Sequence, residues 1–381
     1  MNICILNEHF GMGGLERVTS VIGKELSKKY SVYFYSMFSD ENFFNIKQNF
    51  VVGQHKLTNE NKWLNPNNYG RKLQKILMKE ETPLLWYKKE VSSLIQWVNS
   101  KKIDLLVISS LKIISFIPEI QKRTDAKCIA WLHNNYEVYM NQYTKTFKKS
   151  FINGLSSADI AVCLTQYDLK KYKKHNCQTV CIYNPLTLEN ESKSDLKSKN
   201  ISFTGRLAFD HKGLDYLLEV AKDIPDDWTI TMAGNGSEEE VHKLHKLIKE
   251  NRLGNKVLFI GPQNGKNLIQ HYKKSSIYLM TSRWEGFGLV LVEAMSFGLP
   301  IIAFSQSGSN EVLDYGKYGI LVENGNLDSM KTELRELIDD FEKRKRFSEK
   351  SLQRVKDFSL NKITSQWINL IESIKIGETN E

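Results

Sequence analysis

Short apolar runs, rich in Val, Ile, Leu and Phe, recur along all 381 residues, separated by stretches of helical period. "NICIL" (2–6), "SVYFYS" (31–36), "DLLVISS" (104–110), "AKCIAWLH" (126–133) and "DIAVCLT" (159–165) form one series. "ISFTG" (201–205), "WTITMAG" (228–234), "KVLFIG" (256–261), "IYLMTS" (277–282) and "PIIAFS" (300–305) form a second. Strands that are apolar throughout, rather than at every other position, are covered on both faces. That pattern belongs to parallel sheets flanked by helices. A chain of this length exceeds what one hydrophobic core usually organises. The expected fold is therefore α/β, with two Rossmann-like, doubly wound parallel-sheet domains facing a cleft. The polar stretch "NPLTLENESKSDLKSKN" (184–200) has no period and reads as a linker. This gives domains at 1–184 and 199–355, a linker at 185–198, and a last helix within 356–381. Ligands are expected at the carboxyl ends of the two sheets, in the cleft.

Helix-end signals agree with this division. Ser237 opens "SEEEVHKLHKLIKEN", with Glu240 placed for a capping box, Val241, Leu244, Leu247 and Ile248 as the apolar stripe, and Gly254 after the end. Thr165 and Asp168 make a similar start. In "SLNKITSQWINLIESI" (359–374), Leu360, Ile363, Trp367, Leu370 and Ile374 form a stripe that needs an apolar surface to cover.

The net charge of +9 is unevenly spread. Residues 1–184 carry 26 Lys and Arg against 15 Asp and Glu, an excess of +11; residues 185–381 carry 27 against 29, or −2. A basic first half suggests an anionic partner. The five cysteines, Cys4, Cys128, Cys163, Cys177 and Cys181, include no Cys-x-x-Cys pair, which argues against a disulfide frame or zinc site and fits a reducing cytosol. "MNICILNEHF" lacks the basic start and apolar length of a signal peptide. No apolar stretch approaches the ~20 residues that span a bilayer, so membrane contact is expected to be peripheral.

Three places carry chemistry. In "NEHFGMGGLERVTSVIGKEL", Gly11, Gly13 and Gly14 lie between a strand and a helix, where backbone N–H groups can face an anion. A dinucleotide fingerprint would require glycine at position 16, where the chain has Glu16; a plain tight turn also accounts for the stretch. In "FTGRLAFDHKGLDYLLEVA" (203–221), Arg206 follows a strand and Lys212 precedes a helix. An Arg can grip a pyrophosphate bidentately and a Lys as a point charge, at ~1.5–3 kcal/mol per charge-assisted bond. Two solvated surface cations are the alternative. In "SRWEGFGLVLVEAMSFGLP" (282–300), Glu285 and Glu293 flank a Gly-Phe-Gly step. Glu293 lies among Val290, Leu291, Val292 and Ala294, where a carboxylate needs a partner; vicinal ribose hydroxyls would serve. Paired glycosidase-type acids and a Glu satisfied by backbone are the other readings.

The set "GMGGLER", "GRLAFDHKG", "SRWEGFGLVLVEAM" and "SGSNEVLDYGKYGILV" resembles the retaining glycosyltransferases of family 4, with the GT-B fold. The likeness is specific over 199–325 and loose over 40–100. It implies that Arg206 and Lys212 hold the donor diphosphate and the charge developing on it. It sets Glu285, Phe287 and Gly288 at the transferred sugar and phosphate, Glu293 at the ribose, and Gly13 and Gly14 at the phosphate from the opposite domain. Gly205, Gly234, Gly286 and Leu289 complete the implied donor-binding set. His133, in "WLHNNYE", matches a histidine near the donor sugar, although alone it reads as a structural residue at a strand end. Asn310 departs from the family, where many members have proline before the glutamate.

The implied reaction moves a hexose, with UDP as the expected carrier, to a hydroxyl of a glycan or lipid-linked surface-polysaccharide precursor, with retained anomeric configuration. No Asp-x-Asp triplet occurs, and no metal or cofactor is expected: cations and helix N-termini supply the positive field. The basic segments "NYGRKLQKILMK" (68–79), "TKTFKKSF" (144–151) and "LKKYKKH" (169–175) suit an anionic bilayer surface, or are solvated helix faces. This places the chain in the cytoplasm, with peripheral contact at the inner face of the membrane. No nucleic-acid-binding motif is present. A sugar-nucleotide epimerase of the same fold and a non-catalytic sugar-nucleotide-binding subunit are the rival functions.

Overall fold

A computed structural model describes residues 1–53, 81–188 and 192–378. The basic segment 68–79 lies outside the described residues. The chain divides into two compact units: Met1–Tyr183 with Ile363–Glu381, and Asn184–Lys362.

The first unit is built on a seven-stranded sheet: β1 (Asn2–Asn7), β2 (Ser31–Ser36), β3 (Phe50–Val52), β4 (Leu105–Ile108), β5 (Lys127–Trp131), β6 (Ile160–Cys163) and β7 (Thr179–Cys181). Every pairing is parallel, in the order β3-β2-β1-β4-β5-β6-β7. The four residues of β4 are fully buried, as a central strand packed on both faces requires. The second unit has six parallel strands: β8 (Asn200–Thr204), β9 (Thr229–Ala233), β10 (Val257–Phe259), β11 (Ile277–Met280), β12 (Ile301–Phe304) and β13 (Ile320–Val322), ordered β10-β9-β8-β11-β12-β13. Both units are thus doubly wound, Rossmann-like sheets. The direction of winding reverses between β1 and β4 in the first unit and between β8 and β11 in the second.

The sequence pattern misses β3, β7 and β13. Each is a three-residue edge strand, too short to display a period. The described residues of the stretch read as a linker, 185–188 and 192–198, cluster with the second unit. Ser194 N donates to Phe297 O at 2.9 Å, and the Arg344 guanidinium bonds Leu196 O.

One helix-end reading needs correction. Ser237 Oγ caps helix Glu238–Glu250 by accepting from Glu240 N at 3.2 Å, but the reciprocal side-chain bond of a capping box is not formed. The helix ends at Glu250, ahead of Gly254 as expected, and Arg252 (φ 57°) takes the left-handed conformation after it. A reciprocal box does form at Gln306 and Ser309, which begin helix Ser307–Val312.

The last helix, Leu360–Glu378, joins the first unit from Ile363 onward. Its buried line is Ile363, Trp367 and Ile371; Leu370 and Ile374 are half-buried. Each step of four turns the line by about 40°, so the buried face rotates toward Ile371 and leaves Leu370 and Ile374, which keep to the expected stripe, at its margin. Trp367 packs on Trp131 at the end of β5, with ring centroids 4.4 Å apart.

Candidate active site

In the second unit, the loops that follow β8 and β11 meet at the reversal of the sheet. This is where ligands bind in open α/β sheets. The first loop carries Gly205 and Arg206 and closes with the short helix Phe209–Lys212. The second runs from Thr281 to Gly288, the residue before helix Leu289–Ser296.

Lys212 and Glu285, 73 positions apart, form an ion pair at 2.5 Å, each residue only 8% exposed. Thr281 Oγ1 donates to Lys212 O at 2.9 Å, tying the two loops together. Burial pushes the Glu285 carboxyl up, but the Lys212 ammonium, with His211 nearby, outweighs it and holds the group below the usual carboxylate range. His211 stacks on Trp284 with centroids 4.8 Å apart and planes 9° apart, and its Nε2 lies 2.9 Å from Trp284 O. Burial lowers the His211 pKa to about 4, so the ring is neutral near pH 7.

The other predicted residues of this unit flank the pair. Arg206 is exposed, and its charge helps to depress the His211 pKa. Gly205 and Gly234 are pressed together: a Cβ on Gly234 would lie 1.7 Å from Gly205 O, so only glycine fits. Gly286 and Phe287 are buried, and Phe287 packs edge-on against Phe358 at 5.6 Å. Gly288 adopts a left-handed conformation (φ 86°) before Leu289, where the free N–H groups of the helix begin. Glu293 is 2% exposed and accepts from Tyr272 Oη at 2.9 Å.

Sequence reasoning missed the residues that hold these groups in place. Gln306 Oε1 accepts from Glu285 N at 3.1 Å and from Gly308 N at 2.8 Å. Arg283 makes a bidentate pair with Asp215, at 3.0 and 2.7 Å, over the Tyr216 ring. Its backbone N–H bonds His211 O. The Arg283–Asp215 pair and the capping of Ser307–Val312 are long-range or irregular features with no periodic signal. Only His211 and Trp284 announced themselves, by standing next to Lys212 and Glu285 in the sequence.

The remaining predicted residues belong to the first unit. Gly13 precedes helix Gly14–Leu26, and Gly11 N donates to His9 Nδ1 at 3.1 Å. Glu16 lies in the first turn of that helix, near His9 at 3.9 Å. His133 follows β5 with its ring 4.5 Å from Trp131, and burial pushes its pKa down to about 3. Its Nε2 is buried with no hydrogen-bond partner among the described residues. Burial lowers the pKa of His175, and the charges of Lys148 and Lys174, from segments 144–151 and 169–175, lower it further; its ring bonds Tyr136 Oη at 2.9 Å. Among the described residues, no helix is long and apolar enough to cross a membrane.

Residues 187–354 match the family described as glycosyl transferases group 1. An uncharacterized glycosyltransferase of Haemophilus influenzae is 30% identical over 370 residues, covering 94% of this chain and 96% of the relative. The amylovoran biosynthesis glycosyltransferase AmsD of Erwinia amylovora is 26% identical over 373 residues, covering 94% of this chain and 96% of its own length. Among solved structures, HepE of Anabaena in complex with UDP superposes with a TM-score of 0.79 at 20% identity, across 98% of this chain and 100% of that one. Two parallel Rossmann-like sheets and a relative of this identity along nearly the whole chain lead to one assignment: the chain belongs to the group 1 glycosyltransferases, with the GT-B fold.

Proposed function

We propose that the chain is a retaining, metal-independent hexosyltransferase of family 4 that uses a UDP-linked sugar. The buried Lys212–Glu285 pair at the reversal of the second sheet carries this reading. It sets a cation and a carboxylate beside an exposed arginine and the N-terminus of helix Leu289–Ser296. A diphosphate needs the cations and N–H groups; the hydroxyls of the attached sugar need the carboxylate. UDP as the carrier is supported by the bound UDP of HepE, and a polysaccharide product by the role in the name of AmsD.

In this reading, Arg206 and Lys212 hold the diphosphate and stabilise the charge that develops as the glycosidic bond breaks. Glu285 accepts from a hydroxyl of the transferred hexose, alongside Phe287 and backbone at Gly286 and Gly288. Leu289 N–H contributes to the phosphate, and Glu293 accepts from the ribose. Gly205 and Gly234 let backbone approach the nucleotide, while Gly13, Gly14 and His133 contribute from the first unit. The leaving phosphate helps to remove the proton of the acceptor hydroxyl, which attacks from the face that the phosphate leaves; retention follows. The acceptor is a hydroxyl of a glycan or a lipid-linked surface-polysaccharide precursor, met at the inner face of the membrane by the basic first unit.

A thermal-shift panel of nucleoside diphosphates and UDP-, GDP- and ADP-sugars tests the donor. The expected result is stabilisation by UDP and one UDP-hexose, followed by an axial product linkage from an axial donor. Inversion of the anomeric centre would overturn the retaining assignment. Interconversion of free sugar nucleotides would favour an epimerase, and stabilisation without turnover a binding subunit.

A further inference from the structure

We propose that the open cavity at the carboxyl ends of β12 and β13, in the second unit, binds an uncharged saccharide. The proposal goes beyond the transferase reading: none of the residues that line the cavity belongs to the proposed donor or catalytic set.

The cavity has a volume of about 620 Å³. Pockets that hold small ligands span ~300–1,000 Å³. Six residues line it: Ser305 after β12, Asn310 in helix Ser307–Val312, Tyr315 in the turn beyond, Leu321 in β13, and Glu323 and Asn324 after that strand. A hydroxyl, two carboxamides, a carboxylate and a phenol thus share one space.

Local bonds decide what each group has to offer. Ser305 Oγ donates to Asn310 Oδ1 at 2.9 Å, so the Asn310 amide keeps its two N–H donors. Asn324 Nδ2 donates to Arg283 O at 2.8 Å, which leaves its side-chain oxygen as an acceptor. Among the described residues, no ion pair or hydrogen bond engages the Glu323 carboxylate. Asn310 is also the position where many members of the resembled family have proline. A proline would bring no amide to the cavity. The site is therefore a feature of this chain rather than of the fold.

Tyr315 supplies an independent observation. It is 69% exposed, and its backbone is left-handed (φ 52°), between Asp314 (φ 46°) and Gly316 (φ 94°). A bulky residue rarely adopts that conformation, whereas glycine takes it without strain. Tyr315 N donates to Asn310 O at 2.8 Å, tying the turn to the helix. Core packing gives no reason to hold a large ring out in water on a strained turn.

A sugar gives one. The C–H face of its ring can lie on the aromatic ring while its hydroxyls, each both donor and acceptor, reach the amides and the carboxylate. None of the six residues is a lysine or arginine, and Glu323 would repel an anion, so phosphate is disfavoured. One carboxylate is too few for a calcium site.

The test uses the full chain with UDP present to fill the donor site. Saturation-transfer NMR is run on methyl glycosides of glucose, galactose and N-acetylglucosamine, and at least one should bind. Tyr315→Gly should weaken that glycoside by about tenfold. Its melting temperature should equal or exceed the wild-type value, because glycine suits the turn. Asn310→Ala should also weaken the glycoside by about tenfold, from lost hydrogen bonds. UDP affinity should be unchanged in both. In a chain labelled with 3-fluorotyrosine, the resonance that Tyr315→Gly removes should shift when the glycoside is added. An unmoved resonance, undiminished binding in either variant, displacement by inorganic phosphate, or no glycoside binding by the folded chain would each overturn the proposal. Failure of the wild-type chain to bind UDP would overturn the donor-site reading alone, and the glycoside comparison would still decide this one.

Discussion

Tyr272 donates its hydroxyl proton to Glu293 Oε2 across 2.9 Å, joining a residue of helix Gly265–Lys273 to one of helix Leu289–Ser296 inside the core of the second unit. Burial, and then the nearby Glu293 carboxylate, hold the Tyr272 hydroxyl protonated by raising its pKa well above the ordinary value. A carboxylate placed among apolar side chains thus has a fixed donor on one oxygen.

Removing that donor should be felt twice. Tyr272→Phe leaves a buried carboxylate one bond short, for an expected loss of ~1–3 kcal/mol in urea unfolding. If Glu293 meets the ribose, the variant should also bind UDP more weakly, with a smaller loss for 2′-deoxyuridine diphosphate. Equal losses for both nucleotides in calorimetry would show that Tyr272 does not orient Glu293 toward that hydroxyl.

The Lys212–Glu285 pair should be asymmetric under mutation. Lys212→Met strands a buried carboxylate and should destabilise by ~3–5 kcal/mol. Lys212→Met combined with Glu285→Gln should lose less than the two single changes added together. Strict additivity in a double-mutant cycle would mean that the ion pair carries no coupling. Turnover should fall in both single variants and in Arg206→Ala, the last with little change in stability because Arg206 is exposed.

Stability should decline between pH 6.5 and 4. His271 is buried and His211 partly so, and desolvation lowers each pKa to about 4 from an ordinary value of 6.5. The unfolded chain therefore takes up protons first. Their contribution is complete above the unfolded value and is lost as pH falls toward the folded one. The slope is ~1.4 kcal/mol per pH unit for each histidine within this window. Urea unfolding at pH 7 and pH 5 measures it, and His271→Phe should flatten the slope. An unchanged slope in that variant would remove His271 as a source.

Gly234→Ala should disrupt the loop that carries Arg206. The added methyl would meet Gly205 O, a backbone atom with nowhere to go, so the two loops must part. UDP affinity should fall by about tenfold or more, as expected when cation and backbone donors lose their alignment. Wild-type affinity would mean that this loop does not touch the nucleotide.

The basic face of the first unit should bind anionic lipid. The chain is expected to float with phosphatidylglycerol vesicles at low salt and to be released at ~0.5 M salt. Lys148→Glu with Lys174→Glu should weaken vesicle binding by about thirtyfold or more, since each lysine contributes ~1 kcal/mol near such a membrane. Equal flotation with neutral vesicles would count against an electrostatic contact.

What the amino-acid order determined by itself was local. Continuous apolar runs require burial on both faces, and this made the central strands and the two-sheet, α/β architecture legible. Glycines between strand and helix, and polar residues set against apolar neighbours, marked Gly13, Gly205, Arg206, Lys212, Glu285 and Glu293 as exceptions that needed a reason. Tertiary structure decided which of these meet. Sheet order set the loops after β8 and β11 side by side, so that Lys212 reaches Glu285; the same winding brings Lys112 to Glu8 in the first unit. It also supplied Tyr272, Gln306 and Arg283, whose partners lie 21 to 68 positions away. The last helix buries Ile363, Trp367 and Ile371 because the surface it covers selects the face. Periodicity records what each segment must bury. Contacts between distant segments depend on strand order, which no single stretch of sequence encodes.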